Sequence, residues 1–197
     1  MQFTTLALSA LSAATGVFGA PTSQEAGTPN PDSVIFGVMS IRSASPVHLT
    51  AWGAMNKGIF TNLSNQDAQC YNGPAQNSAT FVLNKADGTL SLYTDGKPWQ
   101  QLFVDRSGMG QGIMQYTTGA EPAPRNAERG GWAIDEASQH LTFAGSDAFL
   151  ACPSDADSYR ILPYVGIENP AGYTGCLSIA ARVVVAENPV KCLYSQN

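Results

Sequence analysis

Residues 130–192 read GGWAIDEASQHLTFAGSDAFLACPSDADSYRILPYVGIENPAGYTGCLSIAARVVVAENPVKC, and their alternation decides the fold class. Apolar residues recur at every second position: Trp132 and Ile134, Leu141 and Phe143, Phe149 and Ala151, Tyr159 and Ile161, Leu177 and Ile179. A period of two turns one side chain inward and the next outward, the pattern of half-buried strands. Three of the four cysteines, Cys152, Cys176 and Cys192, lie in this stretch, so covalent ties across a set of strands are expected.

Upstream, ATFVLNKADGTLSLY (79–93) repeats the theme, with Asp87 and Gly88 between two alternating runs as a hairpin cue. Phe81, Leu83, Leu90 and Leu92 match Trp132, Ile134, Leu141 and Phe143 at a constant offset of 51 residues. QQLFVDRSGMGQGIMQY (100–116) predicts a further hairpin around Ser107 and Gly108. Gly108, Gly110 and Gly112 form a GxGxG string, but no helical stretch follows and no Lys-Ser/Thr closes it. A phosphate loop is therefore not indicated, and the glycines read as turn and bulge positions. VIFGVMSIRS (34–43) is an apolar strand broken by Pro46, and VHLTAW (47–52) resumes strand character. The count comes to about a dozen short strands and no amphipathic helix. The expected class is all-β: a compact antiparallel barrel-like domain, which removes strand edges, with a trefoil-like barrel or a two-sheet sandwich as alternatives.

The start, MQFTTLALSALSAATGVFGA, has an apolar stretch followed by small residues and reads as a secretory signal peptide over 1–19, cut after Gly19. Residues 20–33 are rich in Pro, Ser and Thr and are expected to be a flexible N-terminus. Residues 34–197 are expected to form one β domain. No later run reaches the ~18 apolar residues of a membrane span, and the tail AENPVKCLYSQN has no hydrophobic end of the kind a lipid anchor needs.

Of the 197 residues only 13% are charged, and the net charge is -5. The ten Lys and Arg are scattered, which argues against nucleic acid as a partner. In an exported chain the four cysteines point to two disulfides. They are too widely spaced for a zinc site, and His48 and His140 have no partner at ligand spacing. No metal and no cofactor are expected. Asn62-Leu63-Ser64 is an N-glycosylation sequon, so Asn62 should sit on a solvent-facing loop.

The cysteine-framed region resembles the C-terminal cysteine domain of the Pir-type fungal cell-wall mannoproteins. The matching residues are Gly131 to Ile134, the Leu141 strand, Ser146 to Cys152, Tyr159 to Leu162, Cys176 and Cys192, with Cys70 and the Asp87-Gly88-Thr89-Leu90 hairpin upstream. The glutamine-rich repeats of that family do not appear between the leader and the domain. A second likeness lies in Ile41-Arg42-Ser43-Ala44-Ser45-Pro46-Val47-His48, which is similar to the opening of the PhiA-like secreted cell-wall proteins of filamentous fungi. Together these resemblances imply an extracellular or wall-located glycoprotein whose partners are wall polysaccharide or wall mannoproteins. Four cysteines allow three pairings, and sequence alone does not choose among them. Position favours Cys152–Cys176, a short local bridge with one strand and a Gly/Pro-rich loop between, and Cys70–Cys192, which bracket the domain.

Three functions remain in view. A structural or interaction protein of the fungal wall fits best, and an effector-like secreted factor is not separable from it by sequence. A carbohydrate-binding module for glucan or chitin is the main alternative, because aromatic faces can stack on sugar rings. Its candidates are Trp99, Trp52 and Tyr93, with Tyr71, Tyr116 and Tyr173 behind them, whereas Trp132 takes an inward strand position and reads as core. Enzymatic activity is not expected. Asp135 and Glu136 are strand neighbours facing opposite ways, and no G-x-S-x-G elbow occurs.

Overall fold

The computed structural model describes residues 32–71, 73–155 and 157–196. The expected signal peptide and nearly all of the expected N-terminal segment lie outside the described residues.

The first strand, β1 (Ser33–Ile41), alternates as its sequence demands, with Phe36, Val38 and Ser40 buried. It takes two partners in succession. Its first half pairs with β5 (Phe81–Asn84), and its second half pairs with the far end of the nine-residue β14 (Leu177–Val185). Phe36 is where the two ladders meet, opposite both Phe81 and Val185.

That shared strand closes the sheet. From β5 the order runs through β6 (Thr89–Leu92), β7 (Gln100–Asp105), β8 (Ile113–Thr118), β3 (Gly58–Thr61), β13 (Tyr159–Pro163) and β12 (Ala148–Pro153) to β14 and back to β1. The result is an all-β, closed antiparallel barrel of nine strands, which leaves no edge within the ring. Closure into a single circuit rules out the two-sheet sandwich.

Extra strands decorate the ring. β2 (Trp52–Met55) pairs with β3, and β9 (Ala127–Glu128) pairs with β7. The hairpin of β10 (Trp132–Asp135) and β11 (His140–Phe143) hangs on β14 through His140 opposite Arg182. β4 (Gln69–Cys70) pairs with β15 (Cys192–Leu193). The 51-residue echo appears as two hairpins of matching register: Phe81 opposite Leu92 and Leu83 opposite Leu90 in one, Trp132 opposite Phe143 and Ile134 opposite Leu141 in the other. The hairpins also touch, since the Trp132 N–H donates to the Gly88 carbonyl at 2.9 Å.

The Asp87–Gly88 hairpin forms as expected, and turn chemistry differs from the sequence expectation in two other places. Between β5 and β6 the loop has four residues, 85–88. Gly88 closes it at φ 65° and the Asp87 carboxylate accepts from the Thr89 N–H and hydroxyl. Between β7 and β8 the left-handed residues are Gln111 and Gly112, not the Ser107–Gly108 pair. Residues 47–50 form turns, not a strand. Leu49 there has φ 60° and its N–H donates back to the Ser40 carbonyl, so His48 is a turn residue whose Nδ1 accepts from the Arg42 N–H.

The core is aromatic at its centre. Trp52 packs edge-on to Phe81 and to Phe149, with ring centroids 6.4 and 5.4 Å away, and Trp132 lies 4.7 Å from Phe143 and 6.4 Å from Phe149. Such pairs contribute ~0.5–1.5 kcal/mol each beyond their burial. Two disulfides add covalent ties: Cys70 to Cys192 across the β4–β15 pair, and Cys152 on β12 to Cys176 just before β14. The C-terminal strand is also held by polar side chains. Gln100 is fully buried and its amide grips Tyr194, with Nε2 donating to the carbonyl at 2.8 Å and Oε1 accepting from the N–H at 2.9 Å.

Candidate functional site

The barrel strands and their loops frame two ligand-sized clefts, and several residues singled out in the sequence lie in neither. Trp52 and Tyr116 are fully buried and offer no face to a sugar. The reason is strand phase. Trp52 opens β2 on its inward side, where its Nε1–H donates to the Ser40 hydroxyl at 2.9 Å. Tyr116 points inward from β8 and donates its hydroxyl proton to the Ser195 carbonyl. Burial raises the Tyr116 pKa beyond the ordinary phenol range, and burial pushes Tyr194 up to about 12.

Tyr93 is half-buried, and the Lys191 ammonium sits 5.9 Å from its ring centre, so that face is already engaged. Trp99 remains available, 46% exposed in the loop before β7. Asn62 and Ser64 are exposed just after β3, with the Asn62 amide nitrogen donating to the Asp157 carbonyl at 3.0 Å.

The first cleft is polar, with a volume of about 680 Å³. It opens between the β7–β8 loop, β9, the end of β11 and the segment after β13. Arg106 leaves the end of β7 and forks onto Glu128 of β9, Nε to Oε1 at 2.9 Å and Nη2 to Oε2 at 2.6 Å. These hydrogen bonds raise the Arg106 pKa, and its guanidinium lies 5.6 Å from the Phe143 ring centre. Tyr164, 40% exposed, and Asn126 complete the polar wall. A planar guanidinium, a carboxylate, an amide and an exposed ring can accept and donate hydrogen bonds to a polyol. No sequence signal marked this set, because Arg106 and Glu128 are 22 positions apart and meet only through the β7–β9 pairing.

The second cleft, about 660 Å³, is largely apolar. It lies between β1, the end of β5, β14 and the β10–β11 hairpin, and Trp132 lines it.

Of the adjacent acids Asp135 and Glu136, Asp135 is engaged within its own turn. Asp135 accepts from the Ser138 N–H and hydroxyl, both at 2.7 Å, which caps the β10–β11 turn and holds its carboxyl below the usual range. Among the described residues no group of three or more His, Cys, Asp or Glu is placed to hold a metal ion. No helix among them is long and apolar enough to cross a membrane.

These features define a class: a disulfide-tied all-β barrel whose loops carry open, ligand-sized clefts. Comparison with known proteins narrows it. A family model described as PhiA-like secreted protein matches residues 36–195, the whole of the barrel circuit except its first residues. The chain is 46% identical over 178 residues to "Cell wall protein phiA" of Aspergillus fumigatus, covering 90% of this chain and 94% of that protein. It is 45% identical over 162 residues to the protein of the same name in Emericella nidulans, covering 81% and 86%. It is 36% identical over 149 residues to that of Arthroderma benhamiae, covering 72% and 77%. The chain belongs to the PhiA-like secreted protein family, and its location is secreted or cell wall. No solved structure matches it.

Proposed function

We propose that this chain is a non-catalytic structural or interaction protein of the fungal wall, held by non-covalent contacts to wall polysaccharide or wall mannoproteins. The observation that carries this reading is the match to relatives named as cell wall proteins across nine-tenths of the chain. The disulfide-tied ring supports it physically, because a closed barrel with cross-linked ends resists unfolding in an oxidising, protease-rich exterior. In this reading residues 1–19 are removed on export, and 34–197 act as one domain. Asn62 carries N-glycan, favoured by the exposure of both Asn62 and Ser64. The likeness of the cysteine frame to the Pir-type domain supports a shared wall environment. The test is cosedimentation of the purified, secreted protein with washed wall ghosts. Saturable retention without release of soluble sugar is expected, and retention no greater than that of an unrelated acidic protein would refute it.

A second reading is favoured by the polar cleft: direct binding of a glucan or chitin chain by Arg106, Glu128, Asn126 and Tyr164, with Trp99 as a separate exposed ring. Pull-down on insoluble β-glucan and on chitin tests it. Retention on one polymer that falls several-fold in Tyr164→Ala supports the cleft, and equal retention of that variant removes it.

A further inference from the structure

Asn62 stands beside a further, smaller hollow on the outside of the barrel. β3 ends at Thr61, whose side chain is fully buried, so Phe60 lies on the outer face and belongs to neither buried apolar cluster. The Phe60 ring is nonetheless fixed in place. The Arg160 guanidinium lies 5.4 Å from its centre, and Gly58 sits so close that a Cβ there would be 2.6 Å from a ring carbon. Asn62 then turns the chain at φ 60°, and Leu63 and Ser64 run on along the hollow. The amide nitrogen of Asn62 reaches across to the loop between β12 and β13, donating to the Asp157 carbonyl at 3.0 Å.

The hollow has a volume of about 230 Å³, below the roughly 300–1,000 Å³ of sites that engulf a free ligand. Met55, Phe60 and Leu63 supply apolar wall, and Asn65, Ser154 and Asp155 supply hydrogen-bonding groups. Both kinds of wall suit one N-acetylated sugar ring, which has C–H faces and an acetyl methyl as well as hydroxyls and an amide. So small a seat holds a free sugar only weakly. A sugar tethered beside it is different, because a short covalent link supplies an effective concentration on the order of mM. The Asn62 side chain is that tether. Its amide nitrogen carries two hydrogens and glycosylation consumes one, so the bond to Asp157 can persist in the modified chain.

We propose that the first N-acetylglucosamine of the Asn62 glycan folds back into this hollow, against Phe60 and Leu63, and hydrogen-bonds to Ser154 and Asp155. The seated sugar is a strut between the end of β3 and the β12–β13 loop, and it sets the direction in which the outer sugars leave the barrel. The inference rests on the N-glycosylation of Asn62 proposed above.

The test compares three forms of the secreted full chain: with its glycan intact, trimmed by endoglycosidase H to one N-acetylglucosamine, and Ser64→Ala, which abolishes the sequon but keeps the Asn62 amide. Peptide mass mapping reads the occupancy of Asn62. In the trimmed form, proton NMR should show nuclear Overhauser contacts from the acetyl methyl of the sugar to the Phe60 ring and the Leu63 methyls. Hydrogen exchange reads the strut. The Ser154 N–H bonds to the Ser158 carbonyl at 2.9 Å and the Ser158 N–H to the Asp155 carbonyl at 3.0 Å. Both amides should exchange about tenfold more slowly in the two glycosylated forms than in Ser64→Ala, because the strut suppresses local opening. Leu63→Ala keeps the sequon and the glycan but removes apolar wall, and should lose most of that protection. The effect is local, so all forms should melt within a few degrees of one another. An unmodified Asn62 would overturn the seat and the glycan together. An occupied Asn62 without those contacts, with both amides exchanging as fast as in Ser64→Ala, or with protection unchanged in Leu63→Ala, would overturn the seat alone.

Discussion

Replacing Gln100 with alanine should be among the most damaging single polar substitutions in the chain. Gln100 is fully buried at the head of β7, and its side-chain amide satisfies both backbone groups of Tyr194 while also donating to the Thr118 hydroxyl at 3.1 Å. Tyr194 is itself buried, its hydroxyl accepting from the Thr80 N–H at 3.1 Å, so water does not readily replace the lost partners. Each stranded group costs ~1–3 kcal/mol, and two of them amount to about 3 kcal/mol when partial relaxation is allowed for. At ~2–4 °C per kcal/mol for a chain of this size, Tm should fall by roughly 6–12 °C. Thermal melting by circular dichroism at neutral pH, with both disulfides intact, measures the change. Hydrogen exchange should show the Tyr194 amide losing protection first. A fall of less than about 2 °C, with that amide still protected, would refute the idea that the clamp holds the C-terminal strand.

Other outcomes follow from the same structure. Loss of Cys70–Cys192 should destabilise more than loss of Cys152–Cys176, because the separations are 122 and 24 residues. The chain-entropy relation gives about 4.9 against about 3.4 kcal/mol, readable as the order of the melting temperatures of the two double Cys→Ser variants. Stability should also drop in alkali. Tyr116 and Tyr194 both titrate above the ordinary value of 10.0, Tyr194 near about 12, so their contribution is complete below pH 10.0 and is lost as pH rises from there through the folded values. Phenolate absorbance should show two of the seven tyrosines ionising only as the barrel unfolds, and seven ionising together before unfolding would contradict this. Asn62→Gln should lower the apparent mass of the secreted protein by one glycan without a large change in Tm, measured by electrophoresis before and after deglycosylation.

Much of the strand inventory was legible, because the Phe81–Leu92 and Trp132–Phe143 hairpins carry their alternation and turn residues locally. A barrel was expected from the edge problem, but which strands close it was not legible. The closure depends on β1 dividing its pairing between Val34-side contacts to β5 and Ile41-side contacts to β14, a non-local choice that no short window encodes. Strand phase misled at Trp52: the run 47–52 looks like one alternating strand, but the turn at Leu49 resets the phase before β2 begins. The β2–β3 turn escaped notice too. Asn56 and Lys57 both adopt positive φ there, and lysine carries no sequence signal for that conformation. Gln66 and Gln100 carry no local signal for their burial, because their partners are backbone groups distant in sequence. For the same reason the Arg106–Glu128 wall could be found only in three dimensions.

Fractionation of the producing fungus tests the central claim most directly. Cell walls, culture medium and cytosol are separated, and the walls are then extracted in turn with hot detergent, detergent plus reductant, and mild alkali, with the protein followed by antibody. The expected result is protein in the wall and medium only, with the wall-bound part leaving in hot detergent, as non-covalent retention requires. Recovery in the cytosol alone, or release from the wall only by reductant or alkali after hot detergent has failed, would contradict the account.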